Sequence, residues 1–149
     1  MLKNKYKDKL KVLHIVSELT PIVKMGGLGD VTGFLPKAIA EEFHIDTRIF
    51  LPKFKCLDLE KYPASLIMKD IKIRISNNNW EKVSIWRTYV PESIIPVYLV
   101  ENNKYFPGDS LYDQRIKNMP QQTPFYFLSK VALEIVKAVD WRPDVEQCY

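Results

Sequence analysis

The chain has 149 residues, of which 46% are hydrophobic and 27% charged, and a net charge of +4. This balance is typical of a globular domain and excludes a fibrous or largely disordered protein. No apolar run approaches the roughly 20 residues of a membrane span, and the N-terminus lacks a signal-peptide pattern, so we expect a cytoplasmic protein without membrane contact. Cys56 and Cys148 lie far apart without a CxxC neighbour, which predicts two free thiols and no metal site.

The positive charge is concentrated at the start of the chain. Five lysines and one aspartate lie in the first eleven residues, which leaves 17 basic and 17 acidic residues in the remainder. We interpret residues 1–10 as a loosely held basic leader, as chain termini commonly are, and residues 11–149 as one domain. Because the domain is electrically neutral, we predict no nucleic-acid binding.

The first third of the domain predicts a strand, a helix and a second strand. An apolar run from Lys11 has the length and β-branched residues of a strand buried on both faces. Residues 30–43 have a stripe of apolar residues at helical spacing: Val31, Leu35, Ala38 and Ile39. Pro36 predicts a kink or a late start of that helix. Residues 47–51 form the next strand, so a right-handed parallel βαβ unit is expected.

A hairpin and a further strand are predicted next. Residues 71–75 and 83–85 alternate apolar and polar side chains on either side of three asparagines at 77–79, which is typical of an antiparallel hairpin. Residues 94–100 form another apolar run of strand length. The polar and aromatic loop over residues 101–122 is long enough to be functional.

The last third predicts a second helix followed by a strand. Thr123 is a candidate N-cap with Pro124 at the first helical position, and apolar residues at helical spacing continue to about Asp140. Val145 begins a strand, and the sequence stops at Tyr149, in the middle of that element. An incomplete parallel sheet has an unpaired edge, so we expect self-association through it.

The loop before the first helix has the residue types of an anion site. Gly26 and Gly27 lack a Cβ, so their backbone can adopt positive φ and approach a ligand with its N–H groups. The helix behind them adds the positive end of its dipole. Lys24 adds a mobile cation suited to a pyrophosphate. Asp30 would repel phosphate, so we expect it to cap the helix or to accept hydrogen bonds from sugar hydroxyls.

Two alternatives remain for this loop. Glycine-rich turns between a strand and a helix can serve only to reverse the chain. Gly27, Gly29 and Gly33 also form a relaxed relative of the dinucleotide fingerprint. That alternative is disfavoured because the glycines come about eight residues after the strand, and residues 51–53 end the second strand without the acidic residue that holds a ribose.

Residues 24–31, Lys-Met-Gly-Gly-Leu-Gly-Asp-Val, preceded by Ser-Glu-Leu-Thr-Pro at 17–21, resemble the signature of bacterial glycogen synthases and plant starch synthases. Further segments resemble the family in the same order, and together the similarity covers nearly the whole chain. These segments are residues 35–38, 48–52, 96–100, 127–134 and 141–145.

The resemblance implies the α/β fold of a GT-B glycosyltransferase: an incomplete N-terminal Rossmann-like domain with a β-hairpin insertion, and no second domain. It implies glucose transfer, with retention, from ADP-glucose to the non-reducing end of an α-1,4-glucan, without a metal or other cofactor. By motif, Lys24, Gly26 and Gly27 would face the diphosphate of ADP-glucose, and Asp30 is the signature aspartate. Tyr112 lies in a loop that resembles the acceptor region and is a candidate for stacking on a sugar ring.

The chain departs from the family at its end. After residues 141–145 the family continues towards a His-Asp-Trp-His segment that contacts glucose, whereas this chain has Glu-Gln-Cys-Tyr at 146–149. His14, in the first strand, and His44, at a helix end, are expected in core or surface roles. We therefore expect the isolated chain to be inactive, as part of a synthase. The alternative is a non-catalytic remnant that binds glucan or nucleotide.

Overall fold

A computed structural model describes residues 9–112 and 119–149. Most of the expected basic leader (1–8) and part of the expected functional loop (113–118) lie outside the described residues. The elements, in chain order, are β1 (Lys11–Ile15), α1 (Gly27–Phe43), β2 (Asp46–Pro52), β3 (Ser65–Ser76), β4 (Asn79–Tyr89), β5 (Pro96–Glu101), α2 (Thr123–Ala138) and β6 (Val145–Cys148).

The strands form one mixed sheet in the order β3-β4-β5-β2-β1-β6. Strands β5, β2, β1 and β6 are parallel, with Ile15 of β1 opposite both Phe50 of β2 and Cys148 of β6. The predicted βαβ unit is therefore confirmed. Because α1 connects β1 to β2 on one side and α2 connects β5 to β6 on the other, right-handed crossovers place the two helices on opposite faces. Such a sheet has its ligand crevice where the strand order reverses, beyond the carboxyl ends of β1 and β6.

The core lies between the central strands and α2. Buried residues of α2 keep the predicted helical spacing and include Leu128, Val131 and Ile135. The helix begins at Thr123, one residue earlier than a Thr123 cap would require, so the predicted cap is wrong: Gln122 is the N-cap, and it makes no side-chain capping bond. The central strands are buried on both faces, as a parallel sheet covered by helices requires.

The hairpin β3–β4 is confirmed at the predicted place and is longer than the alternation indicated. Its turn lies between Ser76 and Asn79, and Arg74 is paired with Trp80. Strand β4 runs antiparallel to β5, which joins the hairpin to one end of the parallel sheet. The hairpin insertion is therefore an extension of the main sheet.

Helix α1 differs from its prediction in its start and in its buried face. It begins at Gly27, and Pro36 is a buried residue within it, so the expected late start is wrong. The buried face contains Gly29, Thr32 and Pro36. Val31 and Leu35, from the predicted apolar stripe, are 49% and 40% exposed. Small residues face the protein here because the preceding loop lies too close to the helix for large side chains.

Strand β6 lies at one edge of the sheet, and its four residues are exposed. Within the described residues, β6 pairs with β1 on one side only, which gives the unpaired edge that the sequence predicted. Cys56 and Cys148 are exposed free thiols, as expected. Within residues 9–112 and 119–149, no helix has the length and apolar character needed to cross a membrane.

Candidate functional site

The glycine-containing loop leaves the carboxyl end of β1 and is held by backbone hydrogen bonds. The N–H of Val16 donates to the carbonyl of Phe50 in β2 at 2.9 Å. Leu19 and Val23 exchange two N–H to carbonyl hydrogen bonds of 2.8 and 2.9 Å, which form an isolated antiparallel β-bridge and close the loop. The loop therefore projects over the carboxyl edge of the sheet, where the crevice lies.

Glu18 is the residue that ties this loop to the start of α1. Its side chain is buried, and Oε2 accepts hydrogen bonds from the N–H groups of Met25 at 2.9 Å and Gly26 at 2.8 Å. The hydroxyl of Thr32 donates to the Glu18 carbonyl at 2.6 Å. The Gly26 N–H, which the sequence predicted to be free to bind a phosphate, therefore already donates a hydrogen bond to Glu18. The carboxylate of Glu18 therefore partly balances the positive end of the α1 helix dipole.

Sequence reasoning assigned no role to Glu18. The available signal was an acidic residue directly after a buried strand, a position where an unpaired carboxylate would be costly to bury. That signal indicates that Glu18 needs donors. It does not indicate that the donors are the backbone N–H groups of residues 25 and 26, because their position depends on the path of the loop.

The four glycines of the motif divide into two pairs. A Cβ added at Gly26 or Gly27 would meet no atom within 4 Å, whereas at Gly29 it would lie 3.0 Å from Glu18 Oε2 and Thr20 Oγ1. At Gly33 it would lie 2.3 Å from the Thr20 carbonyl oxygen. Gly29 and Gly33 are therefore required for packing, which gives them a reason independent of the dinucleotide fingerprint.

The backbone of the first pair is ordinary. Gly26 has φ −161° and ψ −160°, an extended conformation open to any residue, and no glycine among the described residues has positive φ. Neither Gly26 nor Gly27 uses the positive φ that a glycine can adopt. Since neither strain nor packing within the described residues accounts for Gly26 and Gly27, the open space in front of them is their distinctive property.

Lys24 and Asp30 form an ion pair beside the glycines. Lys24 Nζ lies 2.7 Å from Asp30 Oδ2, and the two side chains are 52% and 54% exposed. The hydroxyl of Thr20 donates to Asp30 Oδ1 at 3.2 Å. The hydrogen bond from Lys24, followed by that from Thr20, holds the pKa of Asp30 below its ordinary value. Asp30 lies in the first turn and Gly26 is the N-cap, so the capping role offered for Asp30 is wrong.

Tyr112 is exposed near a small cavity at the same edge of the sheet. Tyr112 is 58% exposed, and its ring centroid lies 5.7 Å from that of Phe125, with the two rings tilted by 59°. Phe125 lines a cavity of 220 Å³ at the carboxyl ends of β1 and β6, together with Ser17 and Tyr149. The cavity is where the strand order predicts a crevice, and Tyr112 is linked to it through Phe125.

The two histidines occupy a core and a surface position, as expected. His14 is buried in β1, where its Nδ1 lies 3.1 Å from the Tyr149 hydroxyl and its ring stacks on that tyrosine. Burial lowers the pKa of His14 to about 4. His44 is the exposed C-cap of α1. In the described part of the chain, no group of three or more histidine, cysteine or carboxylate side chains is arranged to hold a metal ion.

Strand order, crossover handedness and the loop at the carboxyl edge define a doubly wound α/β domain. In folds of this class, ligands bind at the point where the strand order reverses. The chain belongs to the starch synthase catalytic domain family, whose sequence model matches residues 11–148. The resemblance proposed from the motifs is confirmed, and the family is one of glycosyltransferases with the GT-B fold.

Solved and curated relatives agree with this assignment. Glycogen synthase 1 of Geobacter metallireducens is 35% identical over 138 residues, which are 92% of this chain and 27% of that protein. Glycogen synthase of Geotalea daltonii is 36% identical over 141 residues, 94% of this chain and 28% of that protein. The catalytic domain of starch synthase IV from Arabidopsis thaliana, bound to ADP and acarbose, matches 95% of this chain with a TM-score of 0.75 and 25% identity, and the match covers 28% of that domain. The chain therefore spans somewhat more than a quarter of these relatives.

Proposed function

We propose that this chain supplies the donor-facing part of a retaining glucosyltransferase that transfers glucose from ADP-glucose to the non-reducing end of an α-1,4-glucan. The observation that carries the proposal is the exposed Lys24 beside the open-faced Gly26 and Gly27, at the ligand edge of a starch synthase family domain. The relative from Arabidopsis is bound to ADP and acarbose, which supports a nucleotide and an oligosaccharide as the ligands here.

The contacts of Lys24 suggest how the donor would bind. In the structure its ammonium group is paired with Asp30, and an exposed ion pair of this kind stabilises a protein only weakly. A diphosphate can therefore replace Asp30 as the partner of Lys24 with little loss of free energy. The open space at Gly26 and Gly27 allows the phosphate oxygens to come close to the backbone. As the diphosphate leaves the glucose, its negative charge grows, so Lys24 would stabilise the transition state more than the ground state.

We infer that the isolated chain binds the donor weakly and does not catalyse transfer. Asp30 neutralises Lys24, and Glu18 already accepts from the N–H groups of Met25 and Gly26, so the loop has little excess positive charge for a diphosphate. His14 is buried and uncharged at neutral pH, so it is not available as an acid. The remaining groups of the reaction are proposed to lie in the parts of the relatives that this chain does not span.

The test is a calorimetric titration of the 149-residue chain with ADP. Lys24→Ala should weaken binding about fivefold to tenfold, the usual range for one charged contact to a phosphate. Lys137→Ala is the matched control, because Lys137 also pairs with an acidic residue but lies on α2. Equal affinities of the wild type and Lys24→Ala would remove Lys24 from the site. Transfer of label from ADP-glucose to glycogen by the chain alone would contradict the inferred inactivity.

The second candidate function is a non-catalytic module that binds glucan or nucleotide. The exposed ring of Tyr112, beside the cavity that Phe125 lines, favours glucan contact. Retention of the chain on immobilised glycogen, reduced in Tyr112→Ala, would support this function. No retention of either protein would exclude glycogen binding through Tyr112.

The exposed edge of β6 is proposed as a surface for self-association. Its four residues pair with β1 on one side only within the described chain. Light scattering should show a dimer or larger species whose amount rises with concentration. A monomer at all concentrations would contradict this proposal.

A further inference from the structure

A second cavity lies at the edge of the sheet opposite to the glycine loop. Strands β2 and β5 begin at this edge, with Asp46 and Pro96, whereas the glycine loop follows the carboxyl end of β1. The cavity has a volume of 500 Å³, and its lining comes from the last turn of α1, the start of β2 and the turn between β4 and β5. This volume lies in the range of small-molecule sites.

One polar group of this cavity has no partner. Thr47 lines the cavity and is 3% exposed, and its hydroxyl makes no hydrogen bond within the described part of the chain. Ser93 lines the same cavity and is satisfied, because its Oγ donates to the Val90 carbonyl at 2.8 Å. A buried hydroxyl without a partner lowers the stability of the folded chain. Thr47 therefore offers a free hydrogen-bonding group to a ligand in the cavity.

The end of α1 that borders the cavity has unpaired acceptors. At the end of α2, the N–H of Val139 donates to the Ile135 carbonyl at 3.0 Å. Among the described residues, no backbone N–H after Phe43 donates in this way to the last turn of α1. The free carbonyls of a last turn carry the negative end of the helix dipole, which attracts cations.

Acidic side chains add to the negative potential of this helix end. Glu41 lines the cavity and Glu42 follows it, in a last turn that contains no basic residue. Carboxylates are unfavourable at this end of a helix unless a cation balances them. Lys9 is the only lysine or arginine among the described residues of the lining. Asp46 also lines the cavity, and its carboxylate already accepts a hydrogen bond from Trp141 at 2.8 Å. Glu41 is therefore the carboxylate available to a positively charged ligand.

The other walls of the cavity are apolar and favour an organic cation over a metal ion. Ile45 and Pro96 are half-buried, Ile95 is buried, and Ile94 is 91% exposed although it lines the cavity. An alkyl group that covers Ile94 removes apolar surface from water, which a hydrated metal ion does not. In the described part of the chain, no group of three or more histidine, cysteine or carboxylate side chains is arranged to hold a metal.

We propose that this cavity is a binding site for an alkylammonium group, a primary ammonium on an apolar stem. The ammonium has three N–H donors, which match the Glu41 carboxylate, a carbonyl of the last turn of α1 and the Thr47 hydroxyl. The stem packs on Ile94 and Ile95. The site lies at the opposite edge of the sheet from Lys24 and does not depend on the proposed function.

Two sources share this chemistry. One is a free amine, and the other is a lysine of residues 1–8, which lead directly to Lys9 at the cavity. The full-length variant with Lys3, Lys5 and Lys7 changed to Gln separates them. Tighter binding of an added amine by this variant would identify the chain's own lysines as the competing source, and unchanged binding would identify a free amine as the ligand.

The experiment is an NMR titration of the 149-residue chain with hexylammonium, with hexanol as the neutral control of equal length. Backbone amides of residues 40–47 and 94–96 should shift with the amine, and hexanol should bind at least about fivefold more weakly. Glu41→Gln should weaken hexylammonium binding about threefold to tenfold, as loss of one charged contact does. Glu42→Gln is the matched control, because it removes the same charge outside the lining, and it should change the affinity less than about twofold.

Thr47→Val separates binding from folding. Valine keeps the shape of threonine and lacks the unsatisfied hydroxyl, so the free chain should be at least as stable as the wild type in urea denaturation. Hexylammonium binding should nevertheless weaken about threefold. A loss of stability in Thr47→Val would show that the hydroxyl is already satisfied by the chain, and would overturn its role in the site.

Three further results would overturn the proposal. They are equal affinities for hexylammonium and hexanol, equal affinities of the wild type and Glu41→Gln for the amine, and shifts confined to other parts of the chain. Glu41→Gln should bind ADP as the wild type does. The ADP titration of Lys24→Ala, made in parallel, tests the proposed function separately, so either idea can fail without the other.

Discussion

The two ends of the glycine motif differ in what surrounds them. At Gly26 and Gly27 an added Cβ would enter open space, while at Gly33 it would come within 2.3 Å of the Thr20 carbonyl oxygen. The front of the motif faces solvent at the ligand edge, and the back packs against the loop that leads into the helix. The same residue type therefore has a packing role at the back, and at the front no packing role within the described residues.

Within this short segment, some glycines should therefore affect mainly stability and others mainly ligand binding. Substitutions at the back should act on the folded state, since they move backbone against backbone. Substitutions at the front should leave folding unchanged and act only on a ligand that approaches the loop. The predictions that follow test this separation.

Gly33→Ala should be the most destabilising of these changes. The new methyl group would force the Thr20 carbonyl away from α1, and overpacking against backbone typically costs about 2–3 kcal/mol. This exceeds the gain of about 1 kcal/mol from replacing glycine by alanine in a helix. Urea denaturation measures the change. Gly27→Ala is the control, because a Cβ there meets no atom within 4 Å, and it should stay within about 0.5 kcal/mol of the wild type. Equal stability of Gly33→Ala and the wild type would show that the loop can move away freely.

Glu18→Ala should destabilise the chain by about 1–3 kcal/mol, because two N–H groups lose a charged acceptor. Glu18→Gln retains an amide oxygen in the same place and should lose about half as much. Glu41→Ala, exposed on α1, is the control. Denaturation midpoints of the four proteins provide the comparison. Similar midpoints for Glu18→Ala and Glu41→Ala would mean that the carboxylate does not hold the loop.

The buried His14 of β1 predicts that the stability of the folded chain depends on pH. Its folded-state pKa is lowered to about 4 by burial, below the ordinary value of 6.5. Between these values the unfolded chain binds a proton that the folded chain does not, so stability is lost as the pH falls from about 6.5 to 4. His14→Leu should flatten the stability profile in this interval, and His44→Gln should not. A profile identical in His14→Leu would place the pH dependence elsewhere.

Gly27→Ala should leave the stability unchanged or slightly higher and weaken ADP binding. A methyl group meets nothing in the protein, yet it occupies the space through which phosphate oxygens would approach the backbone. We expect an affinity loss of about threefold to tenfold by calorimetry. Unchanged ADP affinity would mean that the donor does not approach this glycine.

The periodic elements could be predicted because their signals are local. The spacing in α2 and the alternation around the asparagine turn identified a helix and a hairpin correctly. The buried face of α1 could not be predicted from its apolar residues. Its packing is determined by Gly29, Thr32 and Gly33 lying against the loop, and such a close approach depends on the tertiary path of that loop.

For the candidate site, the sequence predicted which residue types are present but not which of them pair with each other. The sequence predicted an anion site at Lys24, Gly26 and Gly27, and for Asp30 a role as a helix cap or as an acceptor for sugar hydroxyls. It did not indicate that Asp30 would pair with Lys24 itself, or that Glu18 would take the Gly26 N–H. Both pairings join residues six to eight positions apart through an irregular loop, where no periodicity applies.

The pairing of Lys24 leads to the smallest predicted effect, and one of opposite sign. Asp30→Asn removes the anion that competes for Lys24, so ADP affinity in the isolated chain should rise about twofold to threefold, within the range for an exposed ion pair. The rise should shrink at high salt, because exposed charges are screened. Lys24→Ala combined with Asp30→Asn is the control and should show no gain over Lys24→Ala alone. A fall in affinity for Asp30→Asn would mean that Asp30 positions Lys24 for the diphosphate rather than competing for it.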